Sequence, residues 1–224
     1  MLVILLSIVS IMCTTAHAQE KNDDSEVFYS GPISHEKNQK FFEQISGRNI
    51  SRLVIKSSGG DVEAGIELGR WVFQNNIIVI VTGYCFSSCA NYVFTAGSRK
   101  IIQPGSLVAW HGNYHHLLST GLWRDDINSR MMRTNENLQV ATDIIRKQVS
   151  KLVKLEKDFF KLIGVNQYIC WVGKMPPYNA KNYYSMSVSD MSHFGVTDVT
   201  SPDDYLQTDL NRFKDSIVFI ALHS

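Results

Sequence analysis

An α/β domain built on a mainly parallel sheet is the fold class this sequence predicts, and three observations carry it. Residues 53–55 and 77–81 are apolar without alternation, the pattern of strands covered on both faces. Between them a glycine-bearing turn, Ser57-Ser58-Gly59-Gly60, leads into a helical pattern, the crossover that parallel strands need. The same order then repeats: Ser87-Ser88 follows the second strand, opens another helix, and is succeeded by a third strand over residues 106–110.

Taken from the start, residues 2–12 are almost wholly apolar, and Ala16-His17-Ala18 before Gln19 has the small-x-small form of a signal-peptidase site. Residues 1–18 are therefore expected to be a signal peptide, with the mature chain exported to the periplasm or secreted. The segment before the apolar run has no Lys or Arg, so an uncleaved N-terminal membrane anchor is the alternative, although the run is short for an ordinary spanning helix. Residues 19–25 are polar and acidic, a flexible lead-in. A short strand at 27–29 ends at Gly31-Pro32, Ser34 caps a helix over 35–45, and Gly47 ends it.

Beyond Tyr114 the character changes. Residues 122–163 contain no Gly or Pro, and apolar residues recur at three- and four-residue steps from Ile127 to Leu162. Either one long helix projects and packs on a second subunit, or a helix broken near 135–137 folds back on its own domain. An aromatic, proline-containing segment follows over 164–184, then a short helix opened by Ser189-Asp190 and stopped by Gly195, then a strand over 196–199. Residues 201–224 form a C-terminal tail whose apolar run, 217–222, is assigned no role. One domain over 26–200 is expected from the length and the 44% hydrophobic content.

The charge balance, 22 basic against 21 acidic residues, gives no electrostatic reason for a nucleic-acid partner. No cofactor is implied. Cys85 and Cys89 flank the serine pair and are too poor in neighbouring ligands to suggest a metal site. In an exported chain they form a disulfide that pins the turn, or else pack as small apolar residues.

The turns carry groups that acyl transfer needs. A glycine turn between strand and helix leaves backbone N–H groups free for an anion, and a serine at the start of the next helix is a candidate nucleophile. His111, at the end of the third strand, is a candidate base. The plainer readings are a helix-capping serine and a strand-end histidine bonded to a loop carbonyl.

The stretches VFYSGPISHEKNQKFFEQI and LVIKSSGGDVEAG, the run from Pro104 to His111, and MSVSDMSHFGVTDV together resemble the Clp protease proteolytic subunit. That family has a Gly-Pro-Ile turn, a Gly-Gly loop, a Pro-x-Ser-x-Val-x-x-His run and a Ser-x-x-Glu-Ala-x-x-Tyr-Gly-Leu-x-Asp segment, in the same order. The likeness covers residues 26–200 and implies the Clp/crotonase fold: repeated ββα units, a mainly parallel sheet and a long projecting helix. It also implies a serine peptidase acting on peptides or unfolded proteins as a homo-oligomer. Export would remove the chain from ATP, so no ATPase partner is expected.

Carried over residue by residue, the resemblance gives Ser88 as nucleophile when counted back from Ala96-Gly97 and Ser87 when counted forward from Gly83, with Ser88 favoured. His111 is then the base, and the N–H groups of Gly60 and Cys89 bind the oxyanion. The chain departs from the family in two further places. Ser58 stands where the Gly-Gly loop has proline. Asn179 stands where the third triad member is an aspartate, and an amide can orient an imidazole without stabilising its charged form. The site is thus a Ser-His-Asn triad, a dyad helped by another acid such as Asp190, or degenerate. Two other readings stand beside the peptidase: a Clp/crotonase-fold binding or assembly module without turnover, and a crotonase-type enzyme acting on acyl thioesters.

Overall fold

A computed structural model describes residues 25–121, 138–203, 205 and 217–222, with the backbone alone for residues 138–142. The signal-peptide and lead-in readings, the first part of the long helical stretch and most of the tail lie outside the described residues.

The architecture is α/β with a parallel sheet. Strands β1 (Glu26–Ser30), β2 (Arg52–Ser57), β3 (Ile78–Phe86), β4 (Lys100–Ile102), β5 (Leu107–Ala109) and β7 (Val199–Thr200) form a sheet in the order β1-β2-β3-β4-β7. Strand β5 pairs with β3 off this path, and every pairing is parallel. The nine-residue strand β3 serves two partners in succession. Its first half pairs with β4 through Val79, Ile80 and Val81, and its last three residues pair with β5, Phe86 lying opposite Ala109. A second, two-stranded sheet joins β6 (Tyr183–Met186) to β8 (Ile217–Ile220). The apolar run in the tail is thus a strand. An antiparallel bridge between Trp110 and Tyr184 links the two sheets just before His111.

Helix α1 (His35–Ile45) starts where Ser34 accepts from the N–H of Lys37, as the capping pattern predicts. Helix α2 (Val62–Gln74) has Asp61 as its cap, accepting from the Ala64 N–H. Its Gly65 and Gly69 let it lie flat on a π-helical segment, Cys89–Phe94, because a Cβ on Gly69 would come within 2.3 Å of the Tyr92 carbonyl oxygen. Helix α3 (Tyr114–Thr120), which the sequence reading left unassigned, starts where Asn113 accepts from His116 N–H.

Helix α4 (Leu138–Ile163) is the described part of the long helical stretch. It packs on α2 and α3 from Val149 onward, where Val149, Glu156, Phe159 and Phe160 are buried. From Asp143 to Lys147 it is exposed except at Ile145. Helix α5 (Val188–Ser192) opens one position earlier than the sequence suggests, capped by Ser187. The main core lies on one face of β2 and β3, where Leu53, Ile55, Val79 and Val81 have no exposed surface, and on the other face Val54 and Ile80 are buried as well. Burying each such side chain stabilises the fold by roughly 1.5–3 kcal/mol.

Candidate functional site

The strands β3 and β5 run side by side, and the chain leaves both at the same end of the sheet. Their next residues therefore meet. After Phe86, the last residue of β3, the backbone turns sharply at Ser87, which takes a left-handed φ of +55°. A non-glycine residue in that region costs on the order of 1–3 kcal/mol and needs surrounding structure to hold it. Three features hold this one. The Ser87 N–H donates to the carbonyl of Ala109, 3.1 Å away. A Cys85–Cys89 disulfide bridges the turn. The Asn91 amide, one helical turn on, donates to the Gly112 carbonyl at 3.1 Å. The second and third anchors fix the turn itself; the first and third attach it to the chain on either side of His111.

The product of this arrangement is a direct pairing: Ser87 Oγ lies 2.7 Å from Nε2 of His111. Ser88, the serine favoured by counting from the helix end, is placed differently. Its hydroxyl donates to the Gly60 carbonyl at 2.8 Å, it is buried, and its Cβ lies against Gly65 of α2. Of the two serines, the structure brings Ser87 to the histidine and turns Ser88 toward the glycine loop.

That loop is fitted tightly between the serine turn and the end of β1. Gly59 has φ +91°, and a Cβ there would sit 2.7 Å from the Phe86 carbonyl oxygen and 2.8 Å from the Ser88 nitrogen. Gly60 has φ +151°, and a Cβ there would come within 2.1 Å of the Ile33 carbonyl oxygen. Two bonds tie the loop to Ile33, from Ile33 N–H to the Gly59 carbonyl and from Asp61 N–H to the Ile33 carbonyl. The N–H of Gly60 takes part in neither. Ser88 N–H sits at the opening of a helix, where intrahelical acceptors do not exist. Gly60, Ser87, Ser88 and His111 line one cleft with about 200 Å³ of space, walled on its other side by Val62, Tyr92, Tyr114 and Leu117.

His111 is open to solvent on one side, while its ring packs against Ser87 and against Tyr183, with ring centroids 4.7 Å apart. Burial of that packed side is the main cause that lowers its pKa, and the Lys174 cation, with His116 when that ring is protonated, lowers it further. The neutral imidazole, the form able to accept a proton, is thereby favoured. Lys174 is held by two carbonyls, those of Lys181 at 2.7 Å and Asn182 at 3.1 Å.

The third triad position is not assembled from the residues the sequence offered. Asn179 has a left-handed φ of +50°, and its amide donates to the Pro177 carbonyl at 3.4 Å. Asp190 lies in the first turn of α5, where its carboxylate accepts from the hydroxyl of the cap, Ser187, at 2.8 Å. Neither side chain is bonded to His111. Cys89 lies one residue beyond Ser88, and its side chain is taken up in the disulfide.

One group near the site gave no signal in the sequence. Glu156 of α4 is fully buried and accepts from the Tyr92 hydroxyl, from Tyr114 N–H at 3.1 Å and from His115 N–H at 3.0 Å. Burial pushes its pKa up to about 7, against the lowering effect of those three donors. A glutamate in an amphipathic helix ordinarily reads as a solvated residue, and its partners here lie 41 to 64 residues away in sequence.

In comparisons with known proteins, neither the protein-family models nor the curated proteins give a match to this chain. The functional reading rests on the site itself and on the sequence resemblance.

Proposed function

We propose that this chain is a serine peptidase similar to the Clp proteolytic subunit, with Ser87 as nucleophile and His111 as general base. The observation that carries the reading is the 2.7 Å pairing of Ser87 Oγ with His111 Nε2 at a strained strand-to-helix turn, the geometry an activated serine requires. In the reaction Ser87 Oγ bonds to the scissile carbonyl carbon while its proton passes to His111 Nε2. The carbonyl oxygen becomes an oxyanion, which the N–H groups of Gly60 and Ser88 receive. His111 then protonates the amine nitrogen as the C–N bond breaks. Water, deprotonated by the same imidazole, displaces Ser87 from the acyl group and releases a carboxylic acid.

Assigning the attack to Ser87 moves the second oxyanion donor from Cys89 to Ser88, the residue following the nucleophile. The apolar wall of Val62, Tyr92, Tyr114 and Leu117 suits an extended peptide or unfolded segment. The export signal, the Clp/crotonase topology and a homo-oligomer without an ATPase partner belong to the same proposal.

A second reading, a binding module that has lost turnover, draws on a specific observation. The standing charge that acts on His111 is a cation, Lys174, and neither Asn179 nor Asp190 is bonded to it. Without a carboxylate, imidazolium formation loses the stabilisation that triads supply, an effect of about 10⁴ in rate where it has been removed. A fluorophosphonate probe, which traps an activated serine by forming an O–P bond and expelling fluoride, separates the two. Labelling of Ser87 supports the peptidase, and its absence on folded protein supports the module.

A further inference from the structure

Behind the cleft, the two arms that present Ser87 and His111 converge on one carboxylate. The first arm is the π-helical segment that follows Ser87, and its Tyr92 hydroxyl donates to Glu156 Oε1. The second is helix α3, which starts after the sequence His111-Gly112-Asn113, and its Tyr114 and His115 N–H groups donate to Oε1 and Oε2 of the same residue. Tyr92 and Tyr114 both line the cleft. Glu156 thus joins the serine arm to the histidine arm through three hydrogen bonds from a third element, α4.

We propose that Glu156 is a positioning residue for the Ser87–His111 pair, holding the two arms in register through Tyr92 and the first turn of α3. The proposal rests on the peptidase reading of that pair. Three features support it. Two N–H donors and one O–H donor meet the two carboxylate oxygens, so a carboxylate accepts all three, whereas an amide in the same place would turn its NH2 toward at least one backbone N–H. The charge is buried and is satisfied by backbone amides and a hydroxyl, an arrangement that is costly as a purely structural device. Finally, Glu156 is not among the charges that shift His111, so its effect on the base passes through geometry.

Three elements bring polar groups to Glu156. Tyr92 comes from the π-helical segment, and burial raises its phenol pKa well above the ordinary value. Cys170 comes from the turn Gln167–Cys170, and burial raises its thiol in the same way. From α3 come the two backbone amides, while the His115 ring stacks on Trp171 at 5.1 Å. Tyr92 and Cys170 are both neutral at neutral pH, whereas burial pushes the Glu156 carboxyl up to about 7.

The test compares wild type, Glu156→Gln and Glu156→Asp in the full chain, using fluorophosphonate labelling against pH and an NMR titration of the His111 ring. Thermal unfolding serves as the control for folding. Two groups must lose a proton for wild type to react, so its log rate should approach a slope of ~2 per pH unit on the acid side. Glu156→Gln should label at least about tenfold more slowly at pH 8, with the acid slope reduced to ~1, because only His111 remains to titrate. Glu156→Asp, which keeps the charge at a shorter reach, should recover part of the rate and the steeper slope. In the Gln variant the His111 titration should move toward the ordinary histidine value as the arms separate and water enters.

Equal rates and equal slopes in wild type and Glu156→Gln would overturn the proposal. Should wild type fail to label at all, the peptidase reading falls, and the NMR titration decides the positioning claim alone: an unchanged His111 curve in both variants would overturn it. If the Gln variant does not fold, the wild-type slope and the Asp variant decide the matter, a wild-type slope of ~1 being contradictory.

Discussion

The N–H of Ser87 donates to the carbonyl of Ala109 across 3.1 Å, and this bond sets the serine turn against the strand that leads into His111. The parallel register of β3 and β5 ends at the Phe86 and Ala109 pair, so the residues beyond it emerge together. Sheet register, rather than any contact made by the two side chains, brings the hydroxyl to the imidazole.

Gly59 is packed directly against the serine turn. A Cβ there would overlap the Phe86 carbonyl oxygen and the Ser88 nitrogen, at 2.7 and 2.8 Å, in a backbone conformation that disfavours any side chain. Gly59→Ala should destabilise the chain by at least about 2 kcal/mol, lowering the melting temperature by roughly 4–8 °C. It should also slow serine labelling more than tenfold at a temperature where the variant remains folded. Differential scanning calorimetry and probe kinetics on one preparation check both parts.

The disulfide spans a sequence separation of 4 around the turn. Closing so short a loop contributes about 2 kcal/mol by the chain-entropy relation. Its larger effect should be local, since it flanks a serine with φ +55°. Cys85→Ser with Cys89→Ser, or treatment of the wild type with a reductant, should leave a folded chain that labels at least tenfold more slowly. Circular dichroism beside labelling distinguishes this from global unfolding.

Much of the fold was legible because β2 and β3 are apolar throughout and the capping and glycine signals lie where the elements begin and end. Ser34 and the His35–Ile45 helix follow the sequence closely. The short strands β4 and β6 were not legible, since three or four residues are too few to show a period. Helix α3 was hidden by its polar start, Tyr114-His115-His116, which reads as solvated although His116 is buried. The serine register shows a more instructive difference. Counting back from Ala96-Gly97 assumes an ordinary α-helix, whereas residues Cys89–Phe94 wind as a π-helix, which takes up an extra residue per turn. Counting forward from Gly83, through the unbroken strand, gives Ser87, the serine that meets His111.

Burial and a neighbouring cation together favour the neutral form of His111. Burial lowers its pKa, with Lys174 as the next cause, so the imidazole stays neutral to a lower pH than a free histidine, whose value is roughly 6.5. Lys174→Gln removes a repelling cation and leaves the burial in place. The His111 pKa should therefore rise part of the way toward the ordinary value, and labelling should be lost at a higher pH as the solution is acidified. An NMR titration of the His111 ring in both proteins checks the direction, and a downward shift would contradict it.

Covalent labelling of the full chain by a fluorophosphonate at pH 8, with the modified peptide mapped by mass spectrometry, decides whether Ser87 is an activated nucleophile. One adduct, on Ser87, is expected. Ser87→Ala and His111→Ala should lose it, and Ser88→Ala should keep the adduct on Ser87 at a reduced rate. An adduct on Ser88, labelling that survives His111→Ala at the wild-type rate, or no labelling of a folded protein whose disulfide is intact would contradict it.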